Sequence, residues 1–157
     1  MKKICFTGHR DVRDTEKMQK TLLNILKSLI NDGAEDFYAG GATGFDTLAA
    51  AAVIRLRQIY PQIKLHLVLP CCEAEQTARW TDSQKSEYWS ILAAADSVEY
   101  TSEHYYDGCM KKRNARLIEL SDCCVCYYND KKSASGTGQT VRMALKKRIF
   151  IVNLFSL

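Results

Sequence analysis

Short apolar runs alternate with longer amphipathic segments along the whole chain, and this alternation limits the fold more than any other feature. Lys3 to Thr7 is an apolar, β-branched run closed by Gly8. Asp14 or Thr15 can cap a helix reaching Asn31, because Met18, Leu22, Ile25, Leu26, Leu29 and Ile30 follow a 3.6-residue period. Asp32-Gly33 stops it. Asp36 to Ala39, Ile63 to Leu69, Ser97 to Tyr100, Cys123 to Tyr128 and Ile149 to Leu154 read as further strands. Helices are expected over Thr43–Ile59, Thr81–Ala95, Met110–Glu119 and Gln139–Lys147, with Thr81 and Gln84 spaced as a capping box. Polar loops are expected over Thr101–Gly108 and Asn129–Gly138.

Strand–helix alternation implies parallel strands joined by helical crossovers. A strand as continuously apolar as Cys123 to Tyr128 fits a position covered on both faces. The expectation is an α/β, Rossmann-like, doubly wound domain. Its sheet of about six strands is mainly parallel, with helices on both faces. At 157 residues the chain is long enough for one such domain, spanning 1–157. No repeat or linker divides it.

In an open parallel sheet, the loops that leave strands and enter helices gather at the carboxyl edge, where ligands bind. Three such loops carry glycines: Thr7-Gly8-His9-Arg10, then Gly40-Gly41-Ala42-Thr43-Gly44-Phe45-Asp46, then Ser135-Gly136-Thr137-Gly138-Gln139-Thr140. Glycine lets backbone amides approach an anion, and a helix N-terminus adds unpaired donors and a favourable dipole. Thr43, Thr137 and Thr140 add hydroxyls. Neither of the longer loops is a Walker motif, since no Gly-Lys-Ser/Thr follows. Together they are candidates for one shared phosphate site.

Charged residues near these loops admit two readings each. Arg10 can clamp a phosphate or lie on the surface. His9 can serve acid–base chemistry or only hydrogen-bond its loop. Asp46 can contact a ribose hydroxyl or a base, or simply favour the helix dipole. Arg113 and Asn114 can reach the ligand or sit on a solvated helix. Trp80, Tyr88, Tyr105 and Tyr106 can stack on a base, although Trp80 and Tyr88 suit the core. Glu73 and Glu75 are the nearest candidate general bases and equally read as solvated loop acids.

The formal net charge is +4, with basic residues dispersed among acids, so a duplex-binding stripe is not expected. The seven cysteines are odd in number, and several lie in apolar runs. Cys124 and Cys126 are too closely spaced for a zinc knuckle, so no metal site is expected. Met1-Lys2-Lys3 leads straight into an apolar run rather than a secretory leader, so a cytoplasmic location with reduced thiols is expected. No apolar stretch approaches the ~20 residues of a membrane span.

The loops Thr7-Gly8-His9-Arg10 and Gly40 to Asp46, with the alanines that follow, resemble the YpsA-like branch of the SLOG superfamily, which also holds the Smf/DprA and LOG proteins. The likeness continues through Leu69-Pro70, Gln76, Trp80, Tyr105, Arg113-Asn114, Ser121-Asp122 and Gly136-Thr137. It implies a nucleotide pocket in a sensor or regulatory domain, with Pro70 joining the glycine loops, Arg113 and Asn114 at the site. The implied ligand is ADP-ribose, NAD or a nucleoside phosphate. A nucleotide hydrolase cleaving an N-glycosidic or phosphoester bond is the alternative, and DprA-like single-stranded DNA binding the second. The LOG enzymes carry a catalytic glutamate where this chain holds Thr140, which argues against their reaction. The basic dispersion argues against nucleic acid. A symmetric homo-oligomer is expected.

Overall fold

A computed structural model describes residues 1–157. The strands are β1 (Lys3–Gly8), β2 (Asp36–Ala39), β3 (Lys64–Leu69), β4 (Ser97–Tyr100), β5 (Cys123–Tyr127) and β6 (Phe150–Asn153). The helices are α1 (Thr15–Asn31), α2 (Phe45–Arg57), α3 (Glu73–Gln76), α4 (Asp82–Ala94), α5 (Cys109–Leu120) and α6 (Gly136–Lys147). All strand pairs are parallel, in the order β4-β3-β2-β1-β5-β6. The strand order reverses between β1 and β5.

Strand side chains alternate between two separate cores. Ile4 and Phe6 of β1, with Cys123, Val125 and Tyr127 of β5, pack with the buried faces of α1, α2 and α4. Cys5, Cys124 and Cys126 face the other way and pack with Leu117 and Ile118 of α5 and Val141 and Ala144 of α6. These buried cysteines act as small apolar side chains. All seven cysteines are free thiols. Every residue of β5 is buried, as its unbroken apolar run requires.

Local chemistry sets the boundaries. The Thr81 hydroxyl accepts from the Gln84 amide, and the Gln84 side chain accepts in return from the Thr81 amide, forming the expected capping box of α4. α6 begins at Gly136, three residues before the expected Gln139, because the Ser135 hydroxyl caps it by accepting from the Gly138 amide at 3.1 Å. Gly136 and Gly138 therefore lie in the first helical turn and not in a free loop. The short helix α3 and a 3-10 turn at Asp130–Lys132 occupy segments read as loop. β4 is a mostly exposed edge strand, and its Glu99 is paired with Arg116. No helix is long and apolar enough to cross a membrane.

Candidate functional site

The carboxyl edge of the sheet is built from glycines pressed against protein, not held open. A Cβ on Gly8 would come within 2.5 Å of the Phe45 ring. One on Gly40 would strike the Arg113 guanidinium, and one on Gly138 the Ser133 backbone. Gly44 adopts φ +77 with its α-carbon against the Arg10 backbone, so both space and conformation demand glycine there. The approaches of Gly8 to Phe45 and of Gly44 to Arg10 lock the first two loops together, Gly40 ties the second to α5, and Gly138 tightens the third on itself.

The locked loops enclose a cavity of about 370 Å³ at the β1/β5 reversal. Thr7, Gly8, His9 and Arg10 form its β1 wall, and Ala42 and Asp46 the wall from the β2–α2 connection. Arg113 and Asn114 enter from α5, and Gly136 and Thr137 from the first turn of α6. A larger cavity of about 750 Å³ adjoins it, with Arg10 and Met110 lining both. Thr43, Pro70, Gln76, Trp80, Gln84 and Tyr105 lie on this second wall. Such volumes suit a small organic ligand.

Arg113 is 4% exposed. Its Nε donates to Asn114 Oδ1 at 2.8 Å, and its Nη1 donates to the Gly40 carbonyl. Nη2 has no protein acceptor, and Arg113 lines the smaller cavity. Asp46, 5% exposed, accepts from the Ala42 amide through Oδ2 at 3.2 Å. Burial pushes its pKa up to about 6, opposed by Arg113, by the Ala42 amide and by Arg10. Asn114 is 7% exposed, and its Nδ2 has no protein acceptor. The hydroxyls of Thr7 and Thr137, both buried, are likewise unpaired within the protein.

His9 is a latch. Its Nε2 accepts from the Asn129 amide at 2.9 Å, which places the proton on Nδ1. Burial and the nearby Lys132 lower its pKa, so the neutral ring is favoured. The His9 amide donates to Tyr127 and its carbonyl accepts from Phe45, joining the first loop to β5 and α2.

Several residues expected at the ligand stand behind the wall instead. Gly40 and Gly41 pack against Arg113 and Leu69, Gly44 against Arg10, and Gly138 against Ser133. Thr140 is fully buried, its hydroxyl donating to the Gly136 carbonyl at 2.9 Å. The Ala42 amide, expected to face an anion, is occupied by Asp46. Glu73 accepts from the Tyr100 hydroxyl, and Glu75 is held by Cys72 and His104. Tyr88 is buried, with its hydroxyl donating to Gln76 at 3.1 Å, and Trp80 meets its ring edge-on.

Other lining residues were not singled out from the sequence: Phe6, Met110, Leu117 and Ser135 at the smaller cavity, Gln84 and Arg79 at the larger. Ser135 was legible as a helix cap. The burial of Arg113 was legible in spacing: Cys109, Arg113 and Leu117 recur every four residues, so the arginine shares the core-facing stripe of α5.

An all-parallel sheet with its crevice where the strand order reverses, walled by interlocked loops, defines a Rossmann-like α/β domain. The chain belongs to the YspA SLOG family, whose model matches residues 4–152. It is similar to a UPF0398 protein of Halalkalibacterium halodurans, 30% identical over 146 residues, covering 86% of this chain and 76% of that protein. A UPF0398 protein of Shouchella clausii is 32% identical over 121 residues, covering 75% of this chain and 63% of its own. One from Bacillus thuringiensis is 29% identical over 167 residues, covering 99% and 89%.

Proposed function

We propose that this domain binds a nucleotide or nucleotide-derived ligand and serves as a sensor or regulatory module. The phosphate lies in the smaller cavity and the rest of the ligand extends into the larger one. The observation that carries this reading is Arg113, a buried guanidinium that lines the smaller cavity with Nε and Nη1 bonded to protein and Nη2 without a protein acceptor. A buried cation is costly without an anionic partner in contact, and Asp46 offsets the charge of Arg113 only from beyond salt-bridge distance. A phosphate oxygen on Nη2 supplies that partner. Asn114, Thr7 and Thr137 add donors, and the capped N-terminus of α6 adds a favourable dipole. Arg10 at the junction reaches either part of the ligand, and Trp80 and Tyr105 offer an aromatic wall.

The test is calorimetric titration and thermal unfolding with ADP, ADP-ribose, NAD, nucleoside monophosphates and inorganic phosphate. At least one organic phosphate is expected to raise the melting temperature, since a ligand that binds only the folded state stabilises it. Arg113→Met is expected to abolish the shift while the variant remains folded. No response of the ligand-free protein to any compound would refute the reading.

Hydrolysis of such a ligand is the second reading, favoured by one observation. Asp46 is a buried carboxyl in the cavity wall whose pKa of about 6 suits proton transfer near neutrality. Product release from a bound nucleotide, lost in Asp46→Asn, separates turnover from silent binding.

A further inference from the structure

Cys72, Glu75 and His104 converge outside the phosphate cavity. The Cys72 Sγ lies 2.8 Å from Glu75 Oε2, and His104 Nδ1 lies 2.9 Å from the same oxygen. All three donor atoms fall within 4.8 Å of one another. We infer that Cys72, Glu75 and His104 form a binding site for a single zinc ion, with a fourth position left to water or an exogenous ligand.

The donor set selects the metal. A thiolate and an imidazole disfavour the hard ions magnesium and calcium, whereas sulfur, nitrogen and carboxylate oxygen together suit zinc. A tetrahedral zinc with ordinary bond lengths needs sulfur–oxygen edges of ~3.5 Å. The observed separations are shorter, so small side-chain rotations outward complete the geometry. The side chains of Glu75 and His104 are 39% and 73% exposed, which leaves room for that movement.

The surroundings hold the donors as a zinc site requires. The Cys72 amide donates to the Glu103 carbonyl at 3.1 Å, fastening the two contributing segments together. The Tyr105 amide donates to Glu75 Oε1 at 3.4 Å, leaving Oε2 as the converging oxygen. On the far side of the His104 ring, Nε2 faces the Glu103 carboxylate at 3.9 Å. That separation is beyond hydrogen-bond distance, so Glu103 would have to move closer to hold the ring as a carboxylate behind a metal-binding imidazole does. Glu75 also walls the larger cavity, so the site sits on that cavity's rim. Cys72 is the one cysteine that is not buried, which singles it out from the six structural thiols. The inference does not depend on the phosphate placement, because none of its ligands touches the smaller cavity, although Glu75 lines the larger one into which the rest of the proposed ligand extends.

The experiment is titration of the reduced protein with zinc chloride, followed by cobalt(II) absorption spectroscopy. One zinc per chain is expected, with dissociation at about micromolar or tighter. Cobalt is expected to give a sulfur-to-metal charge-transfer band. Cys72→Ser should remove that band, whereas Cys71→Ala should keep it. His104→Ala and Glu75→Gln should each weaken zinc by about tenfold or more. Circular dichroism checks that these surface variants remain folded. Absence of zinc binding by the unaltered protein overturns the inference. So does wild-type affinity in His104→Ala, or a charge-transfer band that survives Cys72→Ser.

Discussion

Replacing Asp46 by asparagine should remove a pH-dependent loss of stability. The carboxyl is buried, and its pKa is raised from 3.8 to about 6 in the folded protein. Between those values the folded protein keeps the proton while the unfolded chain has released it. Folding therefore takes up a proton, and stability falls as the pH rises through this window. The displacement corresponds to about 3 kcal/mol, fully lost once the pH exceeds the folded value. Asparagine is nearly isosteric, and its oxygen can still accept from the Ala42 amide as Asp46 Oδ2 does at 3.2 Å. The substitution thus removes the ionisation and keeps the contact. Urea unfolding at intervals between pH 4 and pH 7 measures the effect. The stability of the variant relative to the parent should climb by roughly 1 kcal/mol per pH unit and level off near pH 7. Parallel curves for the two proteins across that range would show that Asp46 ionises without cost, and would refute the reasoning.

Gly44→Ala should destabilise by about 2–3 kcal/mol, because φ +77 strains any side chain and the Cβ meets the Arg10 backbone. Thermal unfolding should then fall by ~4–10 °C, and an unchanged midpoint would contradict the locked-loop account. Arg10→Ala should weaken ligand binding by about tenfold in calorimetry while leaving stability nearly unchanged, since Arg10 is exposed and lines both cavities. Asp96→Ala should cost about 1–2 kcal/mol without altering ligand affinity. Its carboxylate accepts from the Leu65 amide at 2.8 Å and from Arg57 at 2.6 Å, at the amino edge opposite the site. Burial, which would raise the Asp96 pKa, is outweighed by those two partners, so its contribution is present above the unfolded pKa and lost on acidification. The pH dependence contributed by Asp96 therefore runs opposite to that of Asp46, and urea unfolding below pH 4 resolves it.

The layered fold was legible because its signals are local. The 3.6-residue period of α1, the capping box of α4 and the apolar run of β5 each depend on neighbours a few residues away. Cys5, Cys124 and Cys126 could be placed in a core for the same reason. The site was legible only as a set of loops. A glycine that makes room for a ligand and one that makes room for a neighbouring side chain obey the same requirement, the absence of a Cβ. At Gly40 the deciding neighbour is Arg113, 73 residues away. Arg113 beside Asn114 reads as a solvated pair when counted by composition, yet four-residue spacing from Cys109 and Leu117 puts it on the buried stripe. The early start of α6 depended on a single serine cap, Ser135, in a stretch dominated by small polar residues.

On the proposed nucleotide reading, these glycine contacts change how binding energy would arise at this edge. In a phosphate loop, glycine exposes main-chain amides to the anion. Here Gly8 and Gly44 allow the first two loops to press on one another, Gly138 lets the third fold tightly on Ser133, and the Ala42 amide turns inward to Asp46. Recognition then falls chiefly to side chains from helices on the far face of the sheet. The Arg113 plane divides its donors, with Nε and Nη1 fixed to Asn114 and Gly40 and Nη2 left for a ligand. A guanidinium held at two points loses little further freedom when a third partner arrives, so more of the interaction appears as affinity. The same bonds tie α5 to the loop after β2. Displacing that helix would move the cation and the wall together, so on the proposed sensor reading α5 would be the physical link between ligand and response.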